Sequence, residues 1–337
     1  MRPKRLYLTV GAQILLTLPA LAVAAPPEAT PTPTPNVPVS SAQILTDRRE
    51  IVGPGYQGAA AVRAQILLDR ARFSPGEIDG IYGSTLRNAV SGFQRSRSLT
   101  AKGVVAKATW AALNADPAPS LARYRITEID AAGPYGAVPR DMMDKAKLPS
   151  LHYSSIHEAL GERFHVNPAL LQQLNPAADW TRVNQEILVP NVTVLPTAIA
   201  DADHVVVDKS AATVTVYDAA KKPLAQFPAT TGSKHDPLPV GRWKIKGVAR
   251  NPEFKYNPAL FWDAEDDQSK ATIPPGPNNP VGVVWVDLSK PHYGIHGTPE
   301  PSKIGKTQSH GCIRLTNWDA KTLAESVSPG MRATLQR

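Results

Sequence analysis

The sequence predicts a multidomain chain. A mostly-β, sandwich-like domain stands at the C-terminal end, preceded by a small three-helix module and a small βααβ module. Three observations predict this. Runs of β-branched residues such as Val205-Val206-Val207 and Thr213-Val214-Thr215-Val216-Tyr217 begin only after residue 203. Apolar stripes at helical spacing fall almost wholly before it. The 33 prolines, about twice ordinary usage, break the chain into segments. With 42% hydrophobic and 20% charged residues, the composition excludes a wholly disordered chain and a polytopic membrane protein. The one cysteine, Cys312, leaves no intrachain disulfide.

Residues 1–24 read as an export peptide. Arg2, Lys4 and Arg5 precede an apolar run over 6–23, and Ala22-Val23-Ala24 is a small-residue cleavage signal. The alternative is a single membrane anchor, but Gly11, Gln13 and Thr17 interrupt the run, and Pro19 comes after them. The formal charge of +8 becomes +5 without these residues. That mild excess suits an anionic cell envelope or periplasm. No basic cluster alternates with aromatics, so nucleic acid is not indicated. Residues 25–56 are a Pro/Thr-rich linker, because proline fixes φ and removes donors.

Residues 57–115 form the three-helix module. Val62, Ile66 and Leu67 make one stripe. Leu86, Ala89, Val90 and Phe93 make a second, with Ser84 as N-cap. Thr109, Trp110 and Leu113 belong to a third. Asp79-Gly80-Ile81-Tyr82-Gly83 is a tight turn. This order of stripe, turn and helices resembles the peptidoglycan-binding domain 1 family, which implies a wall-glycopeptide binding module without catalytic residues.

Residues 116–150 are a connector with Pro117, Pro119, Pro134 and Pro139 and one strand expected at 124–129. Residues 151–195 form the βααβ unit. Ser155-Ile156-His157-Glu158 is a capping box ahead of Ala159, Leu160 and Phe164. Asn167-Pro168 opens a helix carrying Leu170, Leu171 and Leu174, and 186–190 closes as a strand. The pattern resembles the glycan-binding LysM family, whose first strand would fall at 147–153. His157 and His165 lie eight apart, about two helical turns, which is no metal spacing; both are expected at the surface.

Residues 203–337 form the β domain. Trp243-Lys244-Ile245 and Val283-Val284-Trp285-Val286 are further strands, and the one useful helical stripe is at 317–327. Its informative stretch is Ile295-His296-Gly297-Thr298, ten residues, then Ser309-His310-Gly311-Cys312-Ile313-Arg314-Leu315. An unpaired thiol in an exported chain is a candidate reactive group, though a lone cysteine is often a small buried hydrophobe. A thiol needs a base to become a thiolate, and histidine supplies one near neutral pH. Gly311 leaves amides free beside the thiol, and the Gly311 and Cys312 N–H groups can serve an oxyanion. In an extended segment Arg314 projects on the same side as Cys312 and can hold a carboxylate bidentately. A metal set of His292, His296, His310 and Cys312 is the competing reading. Pro291, Gly294 and Gly297 argue against the helix that the His292/His296 spacing would need. No metal or cofactor is called for.

At these residues the sequence resembles the L,D-transpeptidase (YkuD) catalytic domain, over about 130 residues. The run Ile273-Pro274-Pro275-Gly276-Pro277-Asn278-Asn279-Pro280-Val281-Gly282 is similar to that family's stretch before the catalytic loop. Leu238-Pro239-Val240-Gly241 matches an earlier turn in part, with Leu238 for threonine. The resemblance implies Cys312 as nucleophile and His296 as general base, oriented by the Gly297 carbonyl, with His310 supporting the loop. It implies an oxyanion hole at Gly311 and Cys312, and substrate contacts at Arg314, Ser309 and Tyr293. It further implies D-alanine release from peptidoglycan stem peptides, a thioester, and a 3→3 cross-link, with carbapenem β-lactams as covalent inhibitors. Water or a protein amine as acceptor stays open, as does the diamino acid. A wall-binding scaffold with a silent catalytic domain is the contrasting reading, and the intact set of residues argues against it.

Overall fold

The computed structural model describes residues 39–46, 50–192, 197–265 and 267–337. The expected export peptide and most of the proline-rich linker lie outside the described residues. Among the described residues no helix is long and apolar enough to cross a membrane.

The stretch expected as linker already carries a helix, α1 (Ser41–Leu45), closed by a Ser40/Gln43 capping box and buried through Ile44. The three stripes then become α2 (Ala59–Arg70), α3 (Ser84–Ser96) and α4 (Lys107–Leu113). They close on a core of Leu67, Phe73, Leu86, Phe93 and Trp110. Gly83, and not Ser84, is the N-cap of α3, and no side chain caps it.

The connector corrects the sequence prediction. Its strand, β1 (Leu121–Arg125), starts three residues earlier than expected, because Thr127 caps α5 (Glu128–Ala132) with a reciprocal Asp130 contact. A further short helix, α6 (Met142–Ala146), follows. No strand forms at 147–153. The two helices α7 (Ile156–Arg163) and α8 (Pro168–Leu174) lead to β2 (Glu186–Pro190), whose partner is β1, antiparallel, with Leu121 opposite Pro190. The βααβ unit therefore draws its first strand from the supposed connector, with α5 and α6 inserted. Ser155 caps α7, but the Glu158 carboxylate reaches back to the Ser154 N–H, so the box is only half formed.

The C-terminal strands are β3 (His204–Asp208), β4 (Thr213–Tyr217), β5 (Pro223–Pro228), β6 (Gly241–Arg250), β7 (Phe254–Tyr256), β8 (Ala271–Ile273), β9 (Val284–Leu288), β10 (Gly294–His296), β11 (Ile313–Arg314) and β12 (Arg332–Gln336), with α9 (Asn317–Ser326) before the last. Eight make one sheet in the order β11-β10-β9-β6-β12-β3-β4-β5. Only β10–β11 and β12–β3 are parallel. The ten-residue β6 pairs with β12 through one half and β9 through the other, and its register shifts between Ile245 and Gly247. That bulge bends the sheet. One core then draws on both halves, with Val205, Val216 and Phe227 from one, Val286, Ile295 and Ile313 from the other, and Leu323 from α9. This is the sandwich-like body the sequence predicts. The β7–β8 hairpin stands apart, packed on Leu151 and against Met142 and Met143 of α6.

The outer edge of the sheet is covered. The Ser74 N–H donates to the Gln226 carbonyl at 2.8 Å, and the Gln226 N–H to the Arg72 carbonyl at 2.9 Å. The three-helix module thus adds a short bridge to β5 and shields an edge that would otherwise present unpaired backbone. The junction continues inward. Ser74 Oγ donates to Asp319 Oδ2 at 2.9 Å, and His165 Nδ1 donates to Asp69 Oδ2 at 3.0 Å. His165 is therefore buried, contrary to the surface position expected of it, and its ring stacks on Trp318 at 4.9 Å. His157 also has an aromatic neighbour, Trp180.

Burial first, and the nearby Asp69 second, push the Asp319 carboxyl up to about 7. An unfolded Asp titrates near the ordinary value of 3.8. The folded state therefore holds the proton more firmly, and stability falls as pH rises from about 4 to about 7. Asp319→Asn stays neutral throughout. Its melting temperature relative to the parent should climb between pH 4 and pH 7 and level off above. Thermal denaturation across that range tests this, and a gap that narrows as pH rises would contradict it.

Candidate active site

Three short elements build the site. β10 lies between β9 and β11, so all three of its residues are buried. Its last residue, His296, is 4% exposed and stands opposite Trp285 on one side and Arg314 on the other. The Trp285 ring stacks on the imidazole with centroids 5.3 Å apart. His296 Nδ1 donates to the Gly297 carbonyl at 2.7 Å. That is the tautomer with a lone pair on Nε2. Burial, reinforced by the Arg314 charge, depresses the imidazole to about 3.

The segment after the catalytic-type turn alternates. Ile313 and Leu315 are fully buried in the core, while Cys312 and Arg314 are only half-buried. The burial alternation thus carries from β11 to Cys312, just before it, and leaves the thiol and the guanidinium on the less buried side. Burial pushes the Cys312 thiol up, and burial pushes Arg314 down. The thiol lies 3.7 Å from the His292 carbonyl oxygen. Among the described residues no hydrogen bond joins it to His296, although β10 and β11 are paired beside the two groups. The amides of Gly311 and Cys312 donate to no described residue.

Arg314 is held by its backbone. Its N–H donates to the Thr230 carbonyl at 2.9 Å, and Thr230 returns the bond at 3.0 Å. No described residue bonds its guanidinium, which lines a cleft of about 220 Å³ with Thr298, Glu300 and Lys303. Tyr293 packs its ring against Gly311. Ser309, expected as a substrate contact, is 2% exposed and donates to the Cys312 carbonyl at 2.6 Å, so its hydroxyl staples the loop.

His310 meets a residue the sequence did not single out. Its Nε2 donates to Asp263 Oδ1 at 2.7 Å, and the rings of Phe261 and Trp262 pack against it at 5.0 and 5.9 Å. All three come from the loop joining β7 and β8. Trp285 and Asn317 were likewise missed as site residues. Their places depend on strand register and on the start of α9, which no local pattern reports.

The L,D-transpeptidase catalytic domain family (YkuD) matches residues 202–335, and a peptidoglycan binding domain family matches 57–113. The Bacillus subtilis protein named L,D-transpeptidase YkuD is 31% identical over 175 residues, covering 52% of this chain and 89% of that protein. The Escherichia coli proteins named YbiS and YcfS are 25% and 28% identical over 181 and 188 residues, and this chain spans 58% of each. The solved L,D-transpeptidase of Xylanimonas cellulosilytica aligns over 83% of this chain and 95% of its own, at 15% identity and a TM-score of 0.35. The motif at 295–315, the sheet that presents it and the match across most of the Bacillus protein agree: the chain belongs to the YkuD family of L,D-transpeptidases.

Proposed function

We propose that the chain cross-links peptidoglycan stem peptides by two-step acyl transfer, with Cys312 as nucleophile and His296 as general base. The observation that supports this best is the β10–β11 pair. It sets a buried, neutral imidazole opposite Arg314, while Cys312 shares the outward side with Arg314.

The thiol is pushed up and the imidazole down, so the resting pair is neutral. The thiol then loses its proton during attack and not before it. The Cys312 side chain first turns from the His292 carbonyl. Sγ attacks the carbonyl that joins the L-centre of the diamino acid to the terminal D-alanine, and Nε2 of His296 takes the proton. The free amides of Gly311 and Cys312 receive the oxyanion. Nε2 returns the proton to the leaving nitrogen, the C–N bond breaks, and D-alanine departs from a thioester. An amine of a second stem attacks the thioester. The C–S bond breaks, and a proton from the amine restores the thiol. Arg314 holds a substrate carboxylate in the cleft, and Tyr293 and His310 shape the loop around it. The module at 57–113 supplies wall binding, and the βααβ unit is suited to glycan. The place of action is the cell envelope.

Cys312→Ala should abolish both acyl transfer and any covalent adduct with a carbapenem; turnover that survives would refute the nucleophile. The base is tested separately. His296→Ala should lose at least about a hundredfold in acylation while folding normally. His310→Ala should be milder, and the reverse order would exchange their roles. Purified tetrapeptide muropeptides decide the acceptor, since mass spectrometry shows dimers for transfer and tripeptides for hydrolysis.

The pH profile gives an independent check. His296 stays neutral down to about 3. The acylation rate between pH 4.5 and 7 should therefore show no fall centred near 6.5, the ordinary histidine value. Such a fall would point to a different base.

A further inference from the structure

The general base is held by groups outside its own loop. Asn317, the first residue of α9, is 0% exposed. Its Oδ1 accepts the Val283 N–H at 3.1 Å. The same oxygen occupies the space beside Gly282 and Gly297. A Cβ at either position would come within 2.1 Å of it, so neither can be anything but glycine without the amide moving. The Asn317 amide therefore clamps 282–283 against 297. These segments frame the imidazole. The Gly297 carbonyl takes the His296 Nδ1–H, the Gly297 N–H donates to Val284 at 3.2 Å, and the Val281 backbone also lies against the ring.

The other end of the amide leaves the β domain. Asn317 Nδ2 donates to the Pro277 carbonyl at 3.2 Å and to Glu162 Oε2 at 2.8 Å. Glu162 lies on α7, in the βααβ unit. Its side chain is 9% exposed, and its Oε1 accepts the Tyr153 hydroxyl at 2.9 Å and faces Lys321 Nζ at 3.8 Å. The polarity of this arrangement is one-way. A donor (Val283 N–H) sits at one end of the Asn317 amide and two acceptors sit at the other. A flipped amide would set NH2 against N–H and oxygen against a carboxylate. Glu162, with the Pro277 carbonyl, thus fixes the end of the Asn317 amide that faces away from Val283.

We propose that Glu162 is a positioning residue for the transpeptidase base: through Asn317 it holds the Gly297 carbonyl, and with it the His296 tautomer that leaves Nε2 free to take a proton. The proposal rests on His296 being that base. It couples the docking of the βααβ unit to the chemistry of the β domain.

The experiment uses the full chain and a carbapenem as acylating probe. The number of acylatable thiols is counted by intact-protein mass, so that unfolded protein does not count as slow protein. Glu162→Ala should acylate at least tenfold more slowly per counted site, since small misplacements of a catalytic group cost about that or more. With a tetrapeptide donor it should lower kcat and leave KM within about twofold, as no substrate contact is lost. Glu162→Gln keeps an oxygen for the Asn317 amide and should recover to within about threefold. If Glu162→Ala does not fold, Tyr153→Phe removes one group that holds the carboxylate and should give a smaller loss of the same kind. Wild-type rates per counted site in the folded variants would overturn the proposal, as would Gln behaving no better than Ala. A wild-type rate in His296→Ala would instead overturn the base assignment on which it rests.

Discussion

The structure depends on a buried polar junction at the start of α9, where three modules must satisfy one another. Polar groups taken out of water need partners, and each one left unpaired costs roughly 1–3 kcal/mol. Net stability is only about 5–15 kcal/mol for a typical domain. Here the partners come from far apart in the chain. Ser74 of the three-helix module meets Asp319, and His165 of the βααβ unit meets Asp69 and stacks on Trp318. Glu162 meets Asn317. The described residues from 39 onward form one compact unit.

The same constraint reaches the chemistry. Burying His296 between β9 and β11 costs it the solvation that would favour its charge, so it stays a neutral imidazole. The Gly297 carbonyl then selects the tautomer. The three-helix module shields the opposite edge of the sheet at β5, while the loop between β7 and β8 lays Phe261, Trp262 and Asp263 on His310. That loop packs in turn on α6, so sequence placed before the catalytic domain also supports the rim of its site.

Local chemistry was legible wherever one segment carries its own signal. The Ser155 and Asn167 caps, the stripes of α2 and α3 and the β-branched runs of β3 and β4 all fall where periodicity and capping place them. The errors share a different cause. β1 was misplaced because a strand's partner can lie far along the chain, and Leu121 pairs with Pro190 whatever the turn residues between suggest. α1 was hidden in a proline-rich stretch. His165 looked like a surface residue because nothing local announces Asp69 and Trp318.

By itself the sequence determined the type of chemistry. Cys312, its flanking glycine and Arg314 lie within four residues, and an extended backbone over so short a segment puts thiol and guanidinium on one side. Only the tertiary structure decided the electrostatics and the aim of that chemistry. The neutrality of His296, the turn of the thiol toward the His292 carbonyl, the Asp263 contact and the Glu162–Asn317 clamp all arise from burial and from partners distant in the chain. Desolvation and hydrogen bonding depend on what lies within a few ångströms in space, and linear order does not specify that.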